Sequence, residues 1–545
     1  MDINTYDVLV VGAGMAGLTT AAYLSKAGLR VLLCEKGTRT GGLVNSFEYK
    51  GFIFDGGIRS IENSGIVFPM LKQLGLEIDF LPSIVSVGLG KEVVNINLKD
   101  SLAAYQELLE RAFPESKQDI ANILQEIIKV MTYMDVMYGI DNPLFMDIKN
   151  NPAYALRTVL PWALKYMMTV PKITKLNKPV YEHLSTFSKN QSLLDIICQH
   201  FFTQTPAFFA LSYFSLYLDY HYPRGGTGAL PGALEQLIRK NDAEIRLDTE
   251  ITSIDPQKNQ ADDSKGNHYR FKKLVWTADQ KTLYRVLNLS SLTDGKVTSA
   301  IQKKQALIAG KVGGDSVLTL YLTTELDPSY FAKVSGPHFF YTPSLSGLSN
   351  VKLAELLKGE EGRPPRFTSE KTRMIEWIKR FLDLTTYEIS IPVLRDKTLA
   401  PEGKTGLIVS TLFDYALTKH IESLGWYEDF KELVRGHIIR VLNTSIYPEL
   451  EAAVMDGFVS TPLTIEKSTG NSDGAITGWA FTNSVIPAVT QLPKVADSVL
   501  TPIPNTYQAG QWTYSPSGMP ISILTGKLAA DRVLRDLAKD RSIPG

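Results

Sequence analysis

The fold is decided by the stretch Val8-Leu9-Val10-Val11-Gly12-Ala13-Gly14-Met15-Ala16-Gly17. Its four leading apolar residues predict a parallel strand that is buried on both faces. The glycines follow at the spacing of a dinucleotide-binding turn: Gly12 permits the tight turn, Gly14 lets the backbone approach a pyrophosphate, and Gly17 lets the next helix pack closely. The stretch therefore predicts a phosphate site at a helix N-terminus that uses no basic residue.

An acidic residue completes this unit. Glu35 stands eighteen residues after Gly17, at the end of a second apolar run from Arg30 to Cys34. A carboxylate at this place accepts hydrogen bonds from an adenosine ribose and repels a 2′-phosphate, which disfavours NADP. The predicted nucleotide contacts also include Met15, Ala16 and Lys36. A glycine-rich turn in an ordinary α/β unit is the alternative, and the combination of strands, helix and acid favours the nucleotide.

A second glycine element follows the acid. The pair Gly41-Gly42 lies six and seven residues after Glu35, and the apolar run Phe52 to Asp55 leads into Gly56-Gly57-Ile58-Arg59. This arrangement resembles the extended signature of the flavin amine oxidase and phytoene desaturase superfamily. The resemblance implies FAD as the cofactor, with the glycine pair, Leu43 and the later segment along the ribityl chain and isoalloxazine ring. The alternative is that the glycine pair is merely a loop.

The middle of the chain carries a third element. The glycine turn and helical run from Tyr222 to Lys240 precede strand patterns at 244–247 and 249–254. This order resembles the family element Y-P-x-G-G, helix, strand, and the resemblance implies backbone contact with the adenine near Glu250 and Ile251. The run 273–276 predicts the next buried strand of the same domain. Its turn, Ala278-Asp279, is a further predicted cofactor contact, and a generic αβ unit is the alternative.

A fourth element lies near the end of the chain. The strand-like run 505–510 ends in Gly510 and is followed by Gln511, turns, and a small-residue helix from the segment Gly518-Met519-Pro520. This order places a second helix N-terminus beside the cofactor. It closely resembles the closing motif of the carotenoid desaturase, carotenoid isomerase and retinol saturase group, in which the flavin rests against it. Gln511 departs from the acidic residue that many superfamily members carry there.

The spacing of these motifs predicts an α/β architecture with a discontinuous, NAD(P)-binding-like Rossmann domain for FAD, made from residues 1–65, 222–300 and 495–545. Residues 66–221 are expected to form a helical, membrane-facing cap. Residues 301–494 are expected to form a mixed-sheet substrate-binding domain. Its strand-like runs are Ser316–Thr323, Tyr387–Val393 and Leu407–Leu412.

The predicted cap has two unusual stretches. Residues 149–181 hold six basic residues and no acidic ones, interleaved with apolar and aromatic residues, which predicts an amphipathic helix in the lipid headgroup plane. The alternative is a helix whose apolar face covers a substrate cavity. The basic residues are Lys149, Arg157, Lys165, Lys172, Lys175 and Lys178. Aromatic residues at near-helical spacing over 201–217 favour a long apolar tunnel, with ordinary helix core as the alternative.

Composition excludes several classes. A chain of 545 residues with 44% hydrophobic and 21% charged residues is a folded protein of two or three domains. Zero net charge argues against nucleic acid as a partner, and no apolar run reaches the length of a membrane span. Two cysteines and seven histidines without ligand spacing predict neither disulfides nor a metal. The first strand starts too early for a signal peptide, which predicts a cytoplasmic protein. Together with the basic, apolar stretch 149–181, the expected location is cytoplasmic with peripheral membrane association.

The resemblance covers almost the whole chain and implies an FAD-dependent oxidoreductase. Its expected substrate is a carotenoid or related long isoprenoid, whose C–C or C=C bonds are desaturated, isomerised or saturated by hydride exchange with flavin N5. A quinone or another acceptor would exchange electrons with the flavin. Arg59 is the candidate catalytic residue, because it could pair with the flavin, bind a polar substrate end, or neutralise Asp55.

Two other functions stay open. A flavin amine oxidase acting on a cationic substrate would favour an aromatic pair before the flavin and a catalytic lysine, and neither is recognisable in the sequence. A non-catalytic escort protein that binds prenylated partners on the same fold is expected to have lost the pyrophosphate glycines. Gly12, Gly14 and Gly17 are intact.

Overall fold

The computed structural model describes residues 4–148, 150–359 and 365–542. Lys149 of the predicted membrane-facing stretch lies outside the described residues. The same holds for residues 1–3 and 543–545 at the ends of the predicted FAD domain, and for residues 360–364 of the predicted substrate domain.

Strands are distributed along the whole chain and build two large sheets and several small ones. In chain order they are Asn4–Val11 (β1), Val31–Cys34 (β2), Ser46–Tyr49 (β3), Phe52–Asp55 (β4), Ile61–Glu62 (β5), Phe80–Pro82 (β6), Val85–Leu89 (β7), Glu92–Ile96 (β8), Tyr220–Pro223 (β9), Glu244–Arg246 (β10), Ile251–Asp255 (β11), Gln260–Asp263 (β12), His268–Trp276 (β13), Ser316–Thr324 (β14), His338–Thr342 (β15), Leu357–Lys358 (β16), Arg366–Phe367 (β17), Tyr387–Ser390 (β18), Thr405–Phe413 (β19), Val454–Ser460 (β20) and Thr506–Gln508 (β21).

Helices cover both sheets. In chain order they are Met15–Lys26 (α1), Val67–Leu74 (α2), Ser101–Ala112 (α3), Lys117–Tyr138 (α4), Pro152–Tyr154 (α5), Leu160–Thr174 (α6), Val180–Leu184 (α7), Gln191–Cys198 (α8), Ala207–Leu216 (α9), Ala229–Lys240 (α10), Gln280–Arg285 (α11), Gly295–Ile308 (α12), Pro328–Ala332 (α13), Lys371–Leu384 (α14), Tyr415–Ser423 (α15), Tyr427–Ser445 (α16), Leu450–Ala453 (α17), Pro462–Thr469 (α18) and Met519–Ser542 (α19).

The first sheet has the order β10-β2-β1-β13-β12-β11, and β21 pairs with the C-terminal half of β13. Strands β10, β2, β1, β13 and β21 are parallel, as expected for apolar strands covered on both faces. Helix α1 packs between α10 and α19. The predicted α/β, Rossmann-type fold is thus confirmed. The boundaries of the three segments assigned to this domain remain a prediction.

The second sheet has the order β20-β14-β19-β18-β15-β7-β8. One face, with Leu320, Ile389 and Val409, packs in an apolar core with helices α14 and α16. The cross-strand pairs Thr319↔Ser410 and His338↔Ser390 belong to the opposite face, because side chains alternate along a strand. A mixed sheet therefore presents a partly polar face on the side away from that core.

Two sequence expectations differ from this sheet. The run Tyr387–Val393 is a strand only as far as Ser390, because Pro392 lacks an N–H for the ladder and opens a short 3₁₀ turn. Residues 66–221 are also not wholly helical. They contribute β7 and β8, which pair in the second sheet through the register His338↔Val85.

The helical cap is formed by α3, α4 and α6 to α9 around a separate apolar core. Residues 150–181 of the predicted membrane-facing stretch contain α5, one π-helical turn at Ala155–Val159, α6 and the first two residues of α7. Of the predicted aromatic tunnel, Phe201 and Phe202 precede α9, and Tyr217 follows it. Among the helices that the structure describes, none is long and apolar enough to cross a bilayer.

Candidate functional site: a nucleotide cradle beneath a polar sheet face

The first glycine turn is shaped for a phosphate group. The Gly12 N–H donates to the Cys34 carbonyl over 2.8 Å, and a Cβ on Gly17 would overlap the carbonyl oxygen of Gly12. A Cβ on Gly14 would meet nothing within 4 Å, so the space in front of this residue is open. Helix α1 starts at Met15 without a side-chain cap, which leaves N–H groups for an anion. These residues fit a pyrophosphate.

Glu35 is held rigidly at the end of β2. Its carboxylate accepts the Ala13 N–H at 2.7 Å and the Gly37 N–H at 2.8 Å. Its backbone carbonyl accepts the Thr249 N–H, which brings Glu250 and Ile251 to the same edge of the sheet. The acid and the segment predicted to contact the adenine therefore lie together, as the motif predicts.

Lys36, unlike Glu35, points toward another helix. Its ammonium group donates to the Lys467 carbonyl at 3.3 Å, at the C-terminal end of α18. A cation at this end of a helix is favoured by the exposed carbonyl groups. Contact of the Lys36 side chain with the cofactor stays a prediction.

The second glycine element crosses directly beside the first turn. The Gly41 N–H donates to the Ala13 carbonyl at 2.8 Å, and the Ile58 N–H donates to the Leu43 carbonyl at 3.0 Å. A Cβ on Gly57 would overlap that same Leu43 oxygen, so the two backbones cross only with glycine at this position. The structure thus brings together the predicted residues Gly41, Gly42, Leu43, Gly56, Gly57, Ile58 and Arg59.

Ala278 and Asp279 border the first turn from β13. Thr277, just before them, donates its hydroxyl to the Gly12 carbonyl at 2.7 Å. The Asp279 carboxylate caps α11 through the Thr282 N–H at 2.8 Å and accepts the Ser472 N–H at 3.0 Å. Both of its oxygens have protein partners, so this residue supports the turn, and direct contact with the cofactor stays a prediction.

The closing element completes the cradle from the other end of the chain. The Gly510 N–H donates to the Thr525 hydroxyl at 2.9 Å, and Gly510 has the φ of +99° that favours glycine. Gln511 follows at the surface of this turn. Helix α19 begins at Met519, directly after Gly518, and Pro520 is its second residue. The first turn of this helix contains no acidic residue. The Glu62 carboxylate lies 3.9 Å from where a Cβ on Gly518 would stand.

Asp55 and Arg59 are not an ion pair. The Asp55 carboxylate accepts hydrogen bonds from the Tyr222 hydroxyl at 2.8 Å and from the Thr227 N–H at 2.8 Å. Arg59 instead donates to the Asp55 backbone carbonyl at 2.6 Å and to the Ser410 hydroxyl at 2.9 Å. Neutralisation of Asp55 by direct pairing, one of the three roles expected for Arg59, is therefore wrong. Arg59 thus links residues 56–59, predicted to lie along the flavin and called the flavin segment below, to the second sheet.

A buried polar cluster, formed by Ser60, Ser83, His338, Glu388 and Arg395, continues from Arg59. His338 lies between the Ser60 hydroxyl at 3.1 Å and the Glu388 carboxylate at 2.9 Å. The Ser83 hydroxyl lies 3.0 Å from that of Ser60 and accepts a hydrogen bond from Arg395 at 2.9 Å. Burial lowers the pKa of His338, so at neutral pH the ring donates to Glu388 and accepts from Ser60.

Glu62 and Tyr138 have desolvated polar groups although neither side chain is fully buried. Glu62 is only half-buried, yet desolvation raises the pKa of its carboxyl group to about 7. Tyr138 is 37% exposed, yet desolvation raises the pKa of its hydroxyl to about 12. Glu62 also faces Asp219, whose charge contributes to the raised pKa.

A narrow apolar cavity lies between the cap and the second sheet. Its walls come from α3, α8 and α9 on one side and from β7 and β15 on the other, and they include Leu108, Phe214, Tyr217, Phe340 and His200. Burial lowers the pKa of His200 to about 4, so this histidine is neutral. The cavity therefore suits an uncharged, apolar part of a ligand.

The nucleotide turn, the glycine crossing and the closing helix together define a flavin-binding oxidoreductase. The chain belongs to the family described as flavin containing amine oxidoreductase, whose model matches residues 15–325, more than half of the chain. The predicted cofactor, FAD, and the predicted class, an FAD-dependent oxidoreductase, are thus confirmed.

Curated and structural relatives agree with this class. A 4,4'-diapophytoene desaturase (4,4'-diaponeurosporene-forming) of Staphylococcus aureus (strain bovine RF122 / ET3-1) is 22% identical over 97% of this chain and 99% of its own. An oxidoreductase from Methanosarcina mazei has a TM-score of 0.59 at 15% identity, covering 97% of this chain and 99% of its own. Cyclohexylamine oxidase from Brevibacterium oxydans IH-35A has a TM-score of 0.58 at 12% identity, covering 98% and 99%. The resemblance to the phytoene desaturase group is confirmed.

Proposed function

We propose that the protein exchanges a hydride between FAD and a long isoprenoid of the carotenoid type, at C–C or C=C bonds. The observation that carries this proposal is the apolar cavity between the cap and the second sheet, whose wall residue Phe340 stacks on His338 next to Ser60. The diapophytoene desaturase, which matches nearly full length, supports the same substrate class. Desaturation is the form of the reaction that this relative's name favours.

A row of aromatic rings connects the cap to the polar cluster. Tyr213 lies 6.2 Å from Tyr217, Tyr217 lies 5.2 Å from Phe340, and Phe340 lies 5.1 Å from His338, measured between ring centroids. Rigid aromatic walls offer a large apolar contact area to a flat conjugated chain. Such a row would hold a polyene along its length with one portion beside the flavin segment.

Helix α6 supports entry of the substrate from a membrane surface. Five apolar side chains of this segment are between 53% and 70% exposed and recur at helical spacing, namely Leu156, Leu160, Leu164, Met167 and Met168. Basic residues of the same stretch flank them, as anionic lipid would require. Tyr166 on α6 also raises the pKa of Tyr138, so the two hydroxyls are near each other. We therefore propose a route from this helix past Tyr138 to Glu62.

In the proposed reaction the protein positions FAD and the substrate and excludes water from the site. FAD, when bound, supplies an N5 atom that accepts or gives the hydride. Gly14, Glu35 and the start of α19 would hold its pyrophosphate, ribose and ring system. The aromatic row would align the reacting carbons with that ring, and the apolar cap would exclude water from a charge developing on the polyene.

The two alternative functions fit less well. An amine oxidase binds a cationic substrate, and the site holds two buried guanidinium groups, Arg59 and Arg395, that would repel an ammonium group. At Gly17 and Gly57 two backbone segments cross so closely that any Cβ would overlap a carbonyl oxygen. A prenyl-binding escort protein without cofactor would not need these close crossings. Both alternatives remain outcomes of the experiment below.

The test uses purified protein, its visible spectrum, and substrates supplied in anionic vesicles. We expect a yellow protein that converts 4,4'-diapophytoene, phytoene, lycopene isomers or retinol, with a quinone or NADPH as the redox partner. Cyclohexylamine serves as the control substrate. Oxidation of the amine without any change in a polyene would contradict the proposal, and a colourless protein that binds no FAD would contradict its basis.

A further inference from the structure

Arg59 is buried and Arg395 is half-buried, and neither guanidinium group has a hydrogen-bonded carboxylate partner. Arg59 is 4% exposed and donates to the Asp55 carbonyl and the Ser410 hydroxyl. Arg395 donates to the hydroxyls of Ser83 at 2.9 Å and Ser390 at 3.0 Å. Neutral oxygens receive every one of these hydrogen bonds. Within residues 4–148, 150–359 and 365–542, neither guanidinium is within 4.0 Å of an acidic oxygen.

Each of these guanidinium groups also has a nitrogen with no acceptor. The Nε atom of Arg59 and the Nη2 atom of Arg395 are buried and make no hydrogen bond. Buried cations are normally paired with an anion, and buried donors are normally bonded. Two neighbouring cations that meet neither condition indicate a missing negative partner.

The acids nearby are already engaged. The Asp55 carboxylate receives hydrogen bonds from Tyr222, Thr227 and Ser46. The Glu388 carboxylate accepts its hydrogen bond from His338. Neither acid bonds to a guanidinium group, so the missing partner would come from a bound molecule.

The two arginines lie at the inner end of the aromatic row, and this position indicates which part of a ligand would reach them. Arg59 precedes Ser60, which contacts His338, and His338 stacks on Phe340 at the inner end of the aromatic row. Arg395 reaches the same place through Ser83 and packs over the Tyr222 ring at 4.5 Å. An elongated apolar ligand in the row would therefore place its end group at these cations.

We propose that Arg59 and Arg395 bind the carboxylate end group of the substrate or product, so that the protein prefers a polyene acid to a polyene without a charged end group. A guanidinium group matches a carboxylate in geometry, and it would gain acceptors for its unbonded nitrogens. The inference rests on the proposed function, because it assigns the end group of the same isoprenoid to the inner end of the aromatic row.

The test compares ligands that differ only at the end group, on the FAD-loaded protein. Retinoic acid and retinol share one polyene, and their dissociation constants follow from titration calorimetry. We expect the acid to bind at least about tenfold more tightly than the alcohol, as one charge-assisted pair provides. Arg395→Met should abolish this preference while leaving retinol affinity within about twofold. The control Arg224→Met removes an exposed arginine that pairs with Asp79, and it should retain the preference.

Three results would overturn the proposal: equal binding of acid and alcohol by the unsubstituted protein, an unchanged preference in Arg395→Met, or a shift of the flavin midpoint potential in Arg395→Met with unchanged acid binding. The last result would mean that the positive charge of Arg395 stabilises the reduced flavin and not a ligand carboxylate. The comparison of acid and alcohol binding uses the unsubstituted protein, so it stays decisive even if Arg395→Met folds poorly. Turnover of hydrocarbon polyenes without acid preference would contradict this inference alone, whereas acid preference without any polyene turnover would contradict the proposed function.

Discussion

Glu62 illustrates how a single residue reports on the interior of the site. Its carboxyl group lies where the flavin segment meets the start of α19, and desolvation followed by the charge of Asp219 raises its pKa to about 7. A carboxylic acid that is half protonated near neutral pH can hold or release a proton during turnover. The residue stands only three positions after Arg59, but nothing in the sequence distinguishes it from a surface glutamate.

The raised pKa of Glu62 predicts a pH-dependent stability. Between about pH 4.5 and 7 the folded protein keeps the proton while the unfolded chain has lost it, so stability falls as the pH rises through this window and levels off above it. Glu62→Gln should remove this decline. Thermal unfolding at several pH values measures the difference between the two proteins, with Glu422→Gln on an exposed helix as the control. A difference that does not vary with pH would refute the prediction.

Gly17 gives the second prediction at this scale. A Cβ here would overlap the Gly12 carbonyl oxygen and lie 2.7 Å from the Thr277 hydroxyl, so α1 must move away from the turn. We expect Gly17→Ala to reduce FAD content at least about tenfold and to lower the melting temperature. The matched control is Gly232→Ala, whose Cβ would meet nothing within 4 Å. Full FAD content in Gly17→Ala would show that the turn tolerates the shift.

At the scale of the element, helix α6 is unusual because its apolar side chains face outward. Leu164, Met167 and Met168 are each more than half exposed, whereas Ile173 of the same helix is buried in the cap. An exposed apolar row on a helix is typical of a surface that something else covers. The basic residues around it support the proposal that this surface contacts an anionic bilayer.

Substitution of this row should release the protein from membranes. We expect the triple variant Leu164→Gln, Met167→Gln, Met168→Gln to bind anionic vesicles at least about tenfold more weakly, because three side chains no longer gain from burial in lipid. Vesicle sedimentation measures the change, and the melting temperature should stay the same. Leu345→Gln with Leu500→Gln, two other exposed leucines, is the control. Equal sedimentation of the triple variant would exclude α6 as the contact.

The turns and glycine crossings were predictable from sequence because their residues are close in the chain and their spacing is fixed by one turn geometry. Gly12 to Gly17, Glu35 and the start of α19 all lie where the motifs place them. The strand end at Ser390 was missed because the apolar run continued past Pro392. The cluster around His338 could not be predicted, since its members come from β15, β18 and three separate loops that only the folded sheets bring together.

At the scale of the whole molecule, the cofactor site joins distant parts of the chain. The first turn contacts β13 through Thr277, and Gly526 on α19 would overlap the Ala16 carbonyl if it carried a Cβ. A ligand that binds only the folded state stabilises every segment that it bridges. The cradle, made from three separate stretches, therefore behaves as one unit.

This coupling predicts a joint response to FAD. At about one hundred times its dissociation constant, FAD should add roughly 2.7 kcal/mol to the stability of the apoprotein. Hydrogen exchange should slow together in residues 12–17, 41–59 and 510–526, and NADP should have no such effect. Protection confined to residues 12–17 would mean that the closing element is not part of the cradle.

The pairing of β21 with β13 has a consequence for synthesis on the ribosome. Strand β21 and helix α19 follow all other parts of the first sheet in the chain, yet they supply one wall of the cradle. If the flavin ring rests against this wall as predicted, residues 4–500 emerge during translation without it. We therefore expect flavin capture to follow translation of β21 and α19, and a chain that ends before Thr506 to stay colourless and open to proteases.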